Sequence, residues 1–470
     1  MRTCVGARGV ALALLVALGG CASLVEERGF EAVRGLAPEP LKADVRRLRT
    51  EEDAKAAAAE VETLLKGALK IDDAVKIALL NNRGLQASYN ELGLSAAAMV
   101  KAITPPNPGF TYSRTDQSGL IEIERKLTLD LLGLLTLPLA ASIEDRRWEQ
   151  AKLKTADRIL QIAADTRRAY VRAVAAQQIL TYVDQVRSSS LAAADMSWRL
   201  GQSGAFSKLS QAREQVFHAE VMAQFARARQ SSTAARERLA RLMGLWGSNL
   251  AFRLPERLPD VPDALPDRID LEAKAIEQRL DLRMAKLEVE GLARAYGLTQ
   301  ATRFINVLEG SYLNTTGKGE AKKTGYEIEI SIPIFDFGTT RVAEAENVYL
   351  QAANRLAEIA VNARSEVRED YEAYRLNHEL ARHYLTEIVP LRRAISEETL
   401  LRYNGMLISI FELLADAREQ IAGVVAAIEA QRDFWLADAD LQATLLSGSG
   451  GLRGEAPAKG LTVSRATGGH

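Results

Sequence analysis

Apolar and polar positions along this chain follow two periods, one helical and one of strands. Ile159, Ile162, Thr166, Ala169, Ala173, Ala176, Leu180 and Val183 recur at alternating steps of three and four, which is a heptad seam. Leu209, Ala212, Val216, Ala219, Ala223 and Ala226 keep the same spacing and predict a helix returning against the first. The pattern recurs later as Val342, Ala345, Tyr349, Ala352, Leu356 and Ile359, answered by Leu407, Ile410, Leu414, Ala417, Ile421, Val424 and Ile428. No proline falls between Pro138 and Pro255, so helices of great length are permitted there. Residues 146–200 alone leave room for about 80 Å of helix at 1.5 Å per residue. These segments predict two coiled-coil hairpins.

Strict alternation marks the strands. Tyr326, Ile328, Ile330, Ile332 and Ile334 interleave with Glu327, Glu329, Ser331 and Pro333. Earlier, Ile121, Ile123, Leu127 and Leu129 interleave with Glu122, Glu124, Lys126 and Thr128, and Arg125 breaks the apolar face. Weaker partners precede each, at 110–114 and 305–315, so four strands in two hairpins are expected. Alternation alone fits a soluble half-buried sheet or a membrane barrel with lipid outside and water inside. Helices this long on so small a sheet leave no globular core, which favours the barrel. Four strands cannot close one, and an open edge cannot sit in lipid, so a membrane sheet requires further copies of the chain. The Leu-rich run 131–141 is too short to span a bilayer and is expected to carry the chain from strand into helix.

The chain also reads as one unit written twice. Pro138 and Arg146 are matched by Pro333 and Arg341, about 195 residues on; Asn82, Leu85 and Gln86 by Arg279, Leu282 and Arg283; residues 199–213 by 402–418. The expected organisation is a first repeat at 69–248, a linker at 249–266 marked by Pro255, Pro259, Pro262 and Pro266, and a second repeat at 267–448. Before them stand a leader, 1–20, and an N-terminal segment, 21–68. A Ser/Gly-rich tail, 449–470, is expected to be disordered.

Composition narrows the partners. The 470 residues hold 60 Lys+Arg against 61 Asp+Glu, which lacks the basic excess of a nucleic-acid binder. Arg2 and Arg8 precede an apolar stretch at 10–18, the pattern of a secretory signal, and Leu18-Gly19-Gly20-Cys21 resembles a lipoprotein processing box in which the Cys21 thiol is acylated. Cleavage there leaves Cys21 as the one cysteine. Ala22 and Ser23 lack an inner-membrane retention aspartate, which favours the outer membrane. His378 and His383 are five residues apart, not the four of a zinc-protease helix, and no metal site, cofactor or paired nucleophile and base is expected.

Three stretches resemble the outer-membrane efflux protein family, TolC-like, in its lipid-anchored branch: Pro333-Ile334-Phe335-Asp336-Phe337-Gly338 with Arg341; Tyr403-Asn404-Gly405 with Ser409, Phe411, Leu413 and Leu414; and Thr104-Pro105-Pro106-Asn107-Pro108. The likeness covers roughly 69–448 and departs at the first corner, where Leu137-Pro138-Leu139-Ala140-Ala141 replaces the Asp-Phe-Gly pattern. It implies a mostly α chain whose long antiparallel coiled-coil helices form an α-barrel, with four strands per chain in a trimeric 12-stranded membrane β-barrel. It also implies a homotrimer that ducts solutes passively, linked by a periplasmic adaptor to an inner-membrane pump. On that resemblance Pro333, Asp336, Gly338 and Arg341 form the strand-to-helix corner. Gly201, Gly204 and Ser207, with Gly405 and Ser409, form adaptor-docking tips, the glycines supplying the turns and the serines N-capping the returning helices. Glu412 and Asp416, four apart, are the expected channel gate. A periplasmic coiled-coil adaptor or scaffold lipoprotein without a barrel is the competing reading, and two alternating hairpins count against it.

Overall fold

The computed structural model describes residues 21–117, 120–204, 206–265, 270–317 and 321–448. The leader and the tail therefore lie outside the described residues, as does Pro266. Elements run α1 (Cys21–Leu36), α2 (Glu39–Lys42), α3 (Glu51–Leu64), α4 (Ile71–Asn81), α5 (Arg83–Ile103), β1 (Gly109–Gln117), β2 (Leu120–Asp130), α6 (Leu131–Gln202) and α7 (Lys208–Leu242). After the linker come α8 (Leu271–Gln278), α9 (Leu280–Ala301), β3 (Val307–Gly317), β4 (Lys323–Ser331), α10 (Thr339–His383), α11 (Val389–Asn404) and α12 (Ile410–Thr444). The order from α4 to α7 thus recurs from α8 to α12. None of the described helices is long and apolar enough to cross a membrane.

The strands form one antiparallel sheet in the order β1-β2-β3-β4. Helix α6 leaves it without a loop: Asp130 is both the end of β2 and the N-cap, its Oδ1 accepting the Gly133 amide at 2.7 Å. The 72 residues of α6 span about 110 Å at 1.5 Å per residue. Pro138 lies inside it, so the Leu-rich run is the first turns of the helix and the first corner needs no separate turn.

The α6 seam is buried or half-buried throughout, and Thr166, fully enclosed, returns its hydroxyl to the Ile162 carbonyl at 2.7 Å. The seams of α10 and α12 hold in the same way, save that Leu407 is exposed at the tip. Helix α7 differs from expectation. Its predicted stripe Leu209, Ala212, Val216, Ala219, Ala223 and Ala226 faces away from the chain, and Phe217, Val221, Ala228, Ser232 and Leu239 are buried instead. Both sets keep heptad spacing, so α7 carries two apolar stripes and this chain covers one.

Two joints lock each returning helix to the start of its unit. Asn82 caps α5 through Leu85 N at 3.0 Å and donates its amide to Leu242 O at 2.9 Å, while Asn81 Nδ2 donates to Met243 O and Gly244 O at 3.1 and 2.7 Å. Gly244, with φ +65°, lies where a Cβ would come within 2.7 Å of Asn81 O. At the second joint Arg279, 2% exposed, forks onto Asp281 at 3.0 and 2.7 Å and reaches Glu366 at 2.8 Å, as Leu280 N donates to Leu446 O. A buried guanidinium is tolerated because both faces of its fork are met by carboxylates.

The prolines of the linker bind it to the helices. Pro259 O accepts Gln431 Nε2 and Trp435 Nε1 at 2.6 and 3.0 Å, and Pro262 O accepts His378 Nε2 at 2.7 Å. One of the two histidines that suggested a metal motif is thereby spent on a backbone carbonyl. The N-terminal segment also packs down: Phe30 meets Tyr89 edge-on, and Gly29 sits against the Trp148 ring so closely that a Cβ would overlap it.

Candidate functional site

The sheet separates chemistry by face. In register, Phe110, Leu127, Tyr312 and Tyr326 form one row across all four strands, followed by Leu129, Gly310 and Ile328, then Leu308 and Ile330. Phe110, Tyr326 and Ile328 are each more than two-thirds exposed. Tyr312 and Tyr326 lie 5.7 Å apart in this row. Arg125, which interrupts the pattern, shares its row with Tyr112, Asn314 and Thr324. The opposite face carries Lys126 paired with Glu327 at 2.9 Å, Thr128 bonded to Ser311 at 3.0 Å, and a row of Asp130, Glu309 and Glu329. Three carboxylates side by side on adjacent strands require water over that face. Strands of 9 to 11 residues match the length that crosses a bilayer when tilted. Within the chain β1 and β4 each have one unpaired edge.

After β4 the residues of the corner lie close together. Asp336 Oδ1 accepts the Gly338 amide at 3.0 Å, which holds its carboxyl below the usual aspartate range, and Thr339 returns its hydroxyl to Asp336 O at 2.8 Å. Phe337 and Gly338 are consecutive left-handed residues, φ +48° and +69°. A Cβ on Gly338 would approach Arg303 O to 2.3 Å, so only glycine fits. Arg341 donates to the carbonyls of Thr302 and Arg303 at 3.2 and 3.5 Å, tying the start of α10 to the end of α9. Pro333 O accepts Phe337 N at 2.8 Å. The turn leaves Phe335 wholly exposed beside exposed Ile334 and Phe337.

The far ends of the hairpins are the two tips. At the first, Gly204 takes φ +77° and Ser207 caps α7 by accepting Ser210 N at 3.1 Å. Gly201 has another role: it is helical, and a Cβ there would press on the Gln211 side chain of α7 at 2.7 Å. At the second tip Gly405 has φ −78° and the left-handed residue is its neighbour Met406, φ +59°, which projects into solvent beside Leu407. A non-glycine residue in that region costs about 1–2 kcal/mol. Ser409 caps α12, and Glu412 turns back to it: Oε1 accepts Ser409 N at 3.4 Å and Ser409 Oγ at 3.2 Å.

Asp416, one turn on, is half-buried with Oδ2 enclosed and unpartnered. Nearby on α7, buried Glu214 has an unpartnered Oε2 and a carboxyl pushed above the usual range by burial, while the Arg213 guanidinium lies 3.0 Å from the Phe411 ring centre. Arg418 bridges to Glu220 at 3.0 Å and covers Phe217. The spacing of Glu412 and Asp416 therefore leads to two different settings, one solvent-exposed and capping, the other half-buried. Arg213 and Glu214 belong to this region although no heptad rule points to charged residues on a packed face. Among the described residues no group of three or more His, Cys, Asp or Glu is placed to hold a metal.

No protein-family model and no curated protein matches this sequence. Solved structures do. The Campylobacter jejuni CmeC outer membrane channel superposes with a TM-score of 0.71 at 14% identity, over 80% of this chain and 85% of that one. The outer membrane protein VceC of Vibrio cholerae gives 0.66 at 16%, over 81% and 97%. The open state of the Neisseria gonorrhoeae MtrE outer membrane channel gives 0.64 at 16%, over 80% and 89%. The chain has the fold of these outer-membrane channels.

Proposed function

We propose that the chain is one subunit of a trimeric outer-membrane exit duct for small molecules or ions, fed by an inner-membrane pump through a periplasmic adaptor. The observation that carries this reading is the four-stranded sheet, with an exposed apolar face, a charged opposite face and unpaired edges at β1 and β4. In lipid those edges must be satisfied, and three chains supply twelve strands. Cys21, the first residue of α1, carries the lipid anchor in this reading; its side chain lies outside the described residues. Exposed Phe335 and Phe337 at the corner suit the membrane interface, where aromatic rings settle. The tips at Gly201, Gly204 and Ser207 and at Gly405 and Ser409 dock the adaptor, with Met406 and Leu407 as the apolar contact. Glu412 and Asp416 narrow the tunnel near its inner end, Glu412 releasing Ser409 when it does so.

Detergent-extracted protein is expected to run as a heat-sensitive trimer and to conduct in planar bilayers. A non-conducting monomer overturns the reading. Replacing Glu412 and Asp416 by Ala is expected to weaken block of the current by multivalent cations, and unchanged block removes the gate assignment while leaving the duct.

A further inference from the structure

A groove of about 840 Å³ runs along the helical body between α6, α7 and α12, large enough for a drug-sized molecule. Its floor is apolar, from Ala176 and Ile179 of α6, Val221 of α7, and Ile421, Val425 and Leu436 of α12. Its rim carries five arginines, Arg172, Arg227, Arg238, Arg418 and Arg432, against three acids, Glu220, Glu429 and Asp433. All three acids are engaged: Glu220 with Arg418 at 3.0 Å, Asp433 and Glu429 with Arg432 at 2.8 and 3.6 Å. Arg172, Arg227 and Arg238 have no ion-pair or hydrogen-bond partner among the described residues. Asp440, the acid closest in influence to Arg172, is held by Arg168. Burial disfavours the charge on Arg172, and Arg238, Arg168 and Arg432 act in the same direction.

Arg172 is half-buried without a carboxylate of its own, Arg227 and Arg238 stand exposed on the rim, and an anion with an apolar body would meet this surplus of positive charge while covering the half-buried part of the floor at Ala176, Ile179 and Val425. We propose that this groove is a binding site for an amphiphilic organic anion, its hydrocarbon part on the α6–α12 floor and its sulfonate or carboxylate on Arg172 and Arg238. Arginine suits the task because its planar fork meets such heads with two parallel hydrogen bonds. The site does not depend on the duct reading, since binding is measured without conductance.

The test is calorimetric titration of the full-length protein in phosphatidylcholine nanodiscs with naphthalene-1-sulfonate, with empty discs subtracted. Saturable binding at one site per chain is expected, with no comparable binding of 1-naphthylmethylammonium. Arg172→Gln and Arg238→Gln are each expected to weaken binding by about tenfold, the loss of one charge-assisted contact. Arg393→Gln, at a residue of α11 that pairs with Glu397 and does not line the groove among the described residues, is expected to leave it unchanged. Equal uptake of the cation, absence of saturable binding, or wild-type affinity in both groove variants overturns the proposal. If carboxylates of a second copy fill the groove instead, the wild type takes up no sulfonate and the variants lose their oligomer on size exclusion, which also overturns it.

Discussion

At Asp157 on α6, burial raises the carboxyl above the ordinary aspartate range, with Asp281 adding to the effect. The Ser447 hydroxyl donates to it and offsets part of that rise, and the Gln161 amide donates to the same carboxyl at 2.6 Å. Asp370 on α10 repeats the arrangement with Thr444, so both long helices meet the end of α12 through a carboxyl whose pKa burial raises. The sign follows from linkage. A carboxyl with a raised folded pKa is fully stabilising below its unfolded value and becomes a liability as pH climbs through the folded one. Asp157→Asn keeps the shape and removes the ionisation. The variant is therefore expected to melt higher than the wild type at neutral pH, with the gap closing as pH falls through the raised folded value and absent below about 4. Thermal melts by circular dichroism across that range check it, and a pH-independent gap refutes the charge as cause.

Among the elements, the long helix of the second unit is the irregular one. Between α10 and α11 lies a single π-helical turn, Tyr384–Ile388, in which Val389 N donates to Tyr384 O, five residues back. Pro390 follows directly. Its ring fills the space of an amide and conflicts with the carbonyl four residues earlier, so the chain widens by one residue per turn to pass it. Pro390→Ala restores a donor and is expected to slow hydrogen exchange across 384–395, whereas unchanged exchange assigns the bulge to packing.

The strands and the α6, α10 and α12 seams were legible because one periodic signal dominates each. Alternation at Tyr326, Ile328 and Ile330 admits one face, although the strand ends at Ser331, before the alternation expected through Ile332 and Ile334 is complete; the heptad from Ile159 to Val183 likewise admits one face. In α7 the signal was double: Val216 and Phe217 lie on two different heptad stripes, and spacing cannot rank them. Of the candidate residues, Asp336, Gly338 and Arg341 were legible through their motif. The left-handed residue at the second tip was not, since Gly405 looks better suited than Met406, yet the Gly405 amide is used by Leu401 O to close the helix. Pairing across α7 and α12, as in Arg213 with Phe411, joins residues about 200 positions apart and leaves no local trace.

For the whole molecule, the uncovered α7 stripe and the open sheet edges pose the same requirement at opposite ends. Val216, 53% exposed, and Leu209, 60% exposed, continue through Ala219, Ala223 and Ala226 as a narrow apolar line on a helix otherwise rich in charge. Small residues at heptad spacing let a second helix approach closely, and in a trimer that helix belongs to the next copy. In the proposed trimer, the rotation that buries the stripe in water would also seal the sheet edges in lipid. Charging the line separates the two contacts. Val216→Asp with Ala223→Asp leaves the buried stripe of Phe217, Val221 and Ala228 untouched, so each chain keeps its helix content. The oligomer is expected to dissociate at a lower temperature or lower detergent concentration than the wild type, by an amount that shrinks for Val216→Ala. Size exclusion and semi-native gel migration read this directly. An oligomer of undiminished stability would mean that the α7 stripe faces something other than a neighbouring subunit, and would leave the sheet as the sole seat of assembly.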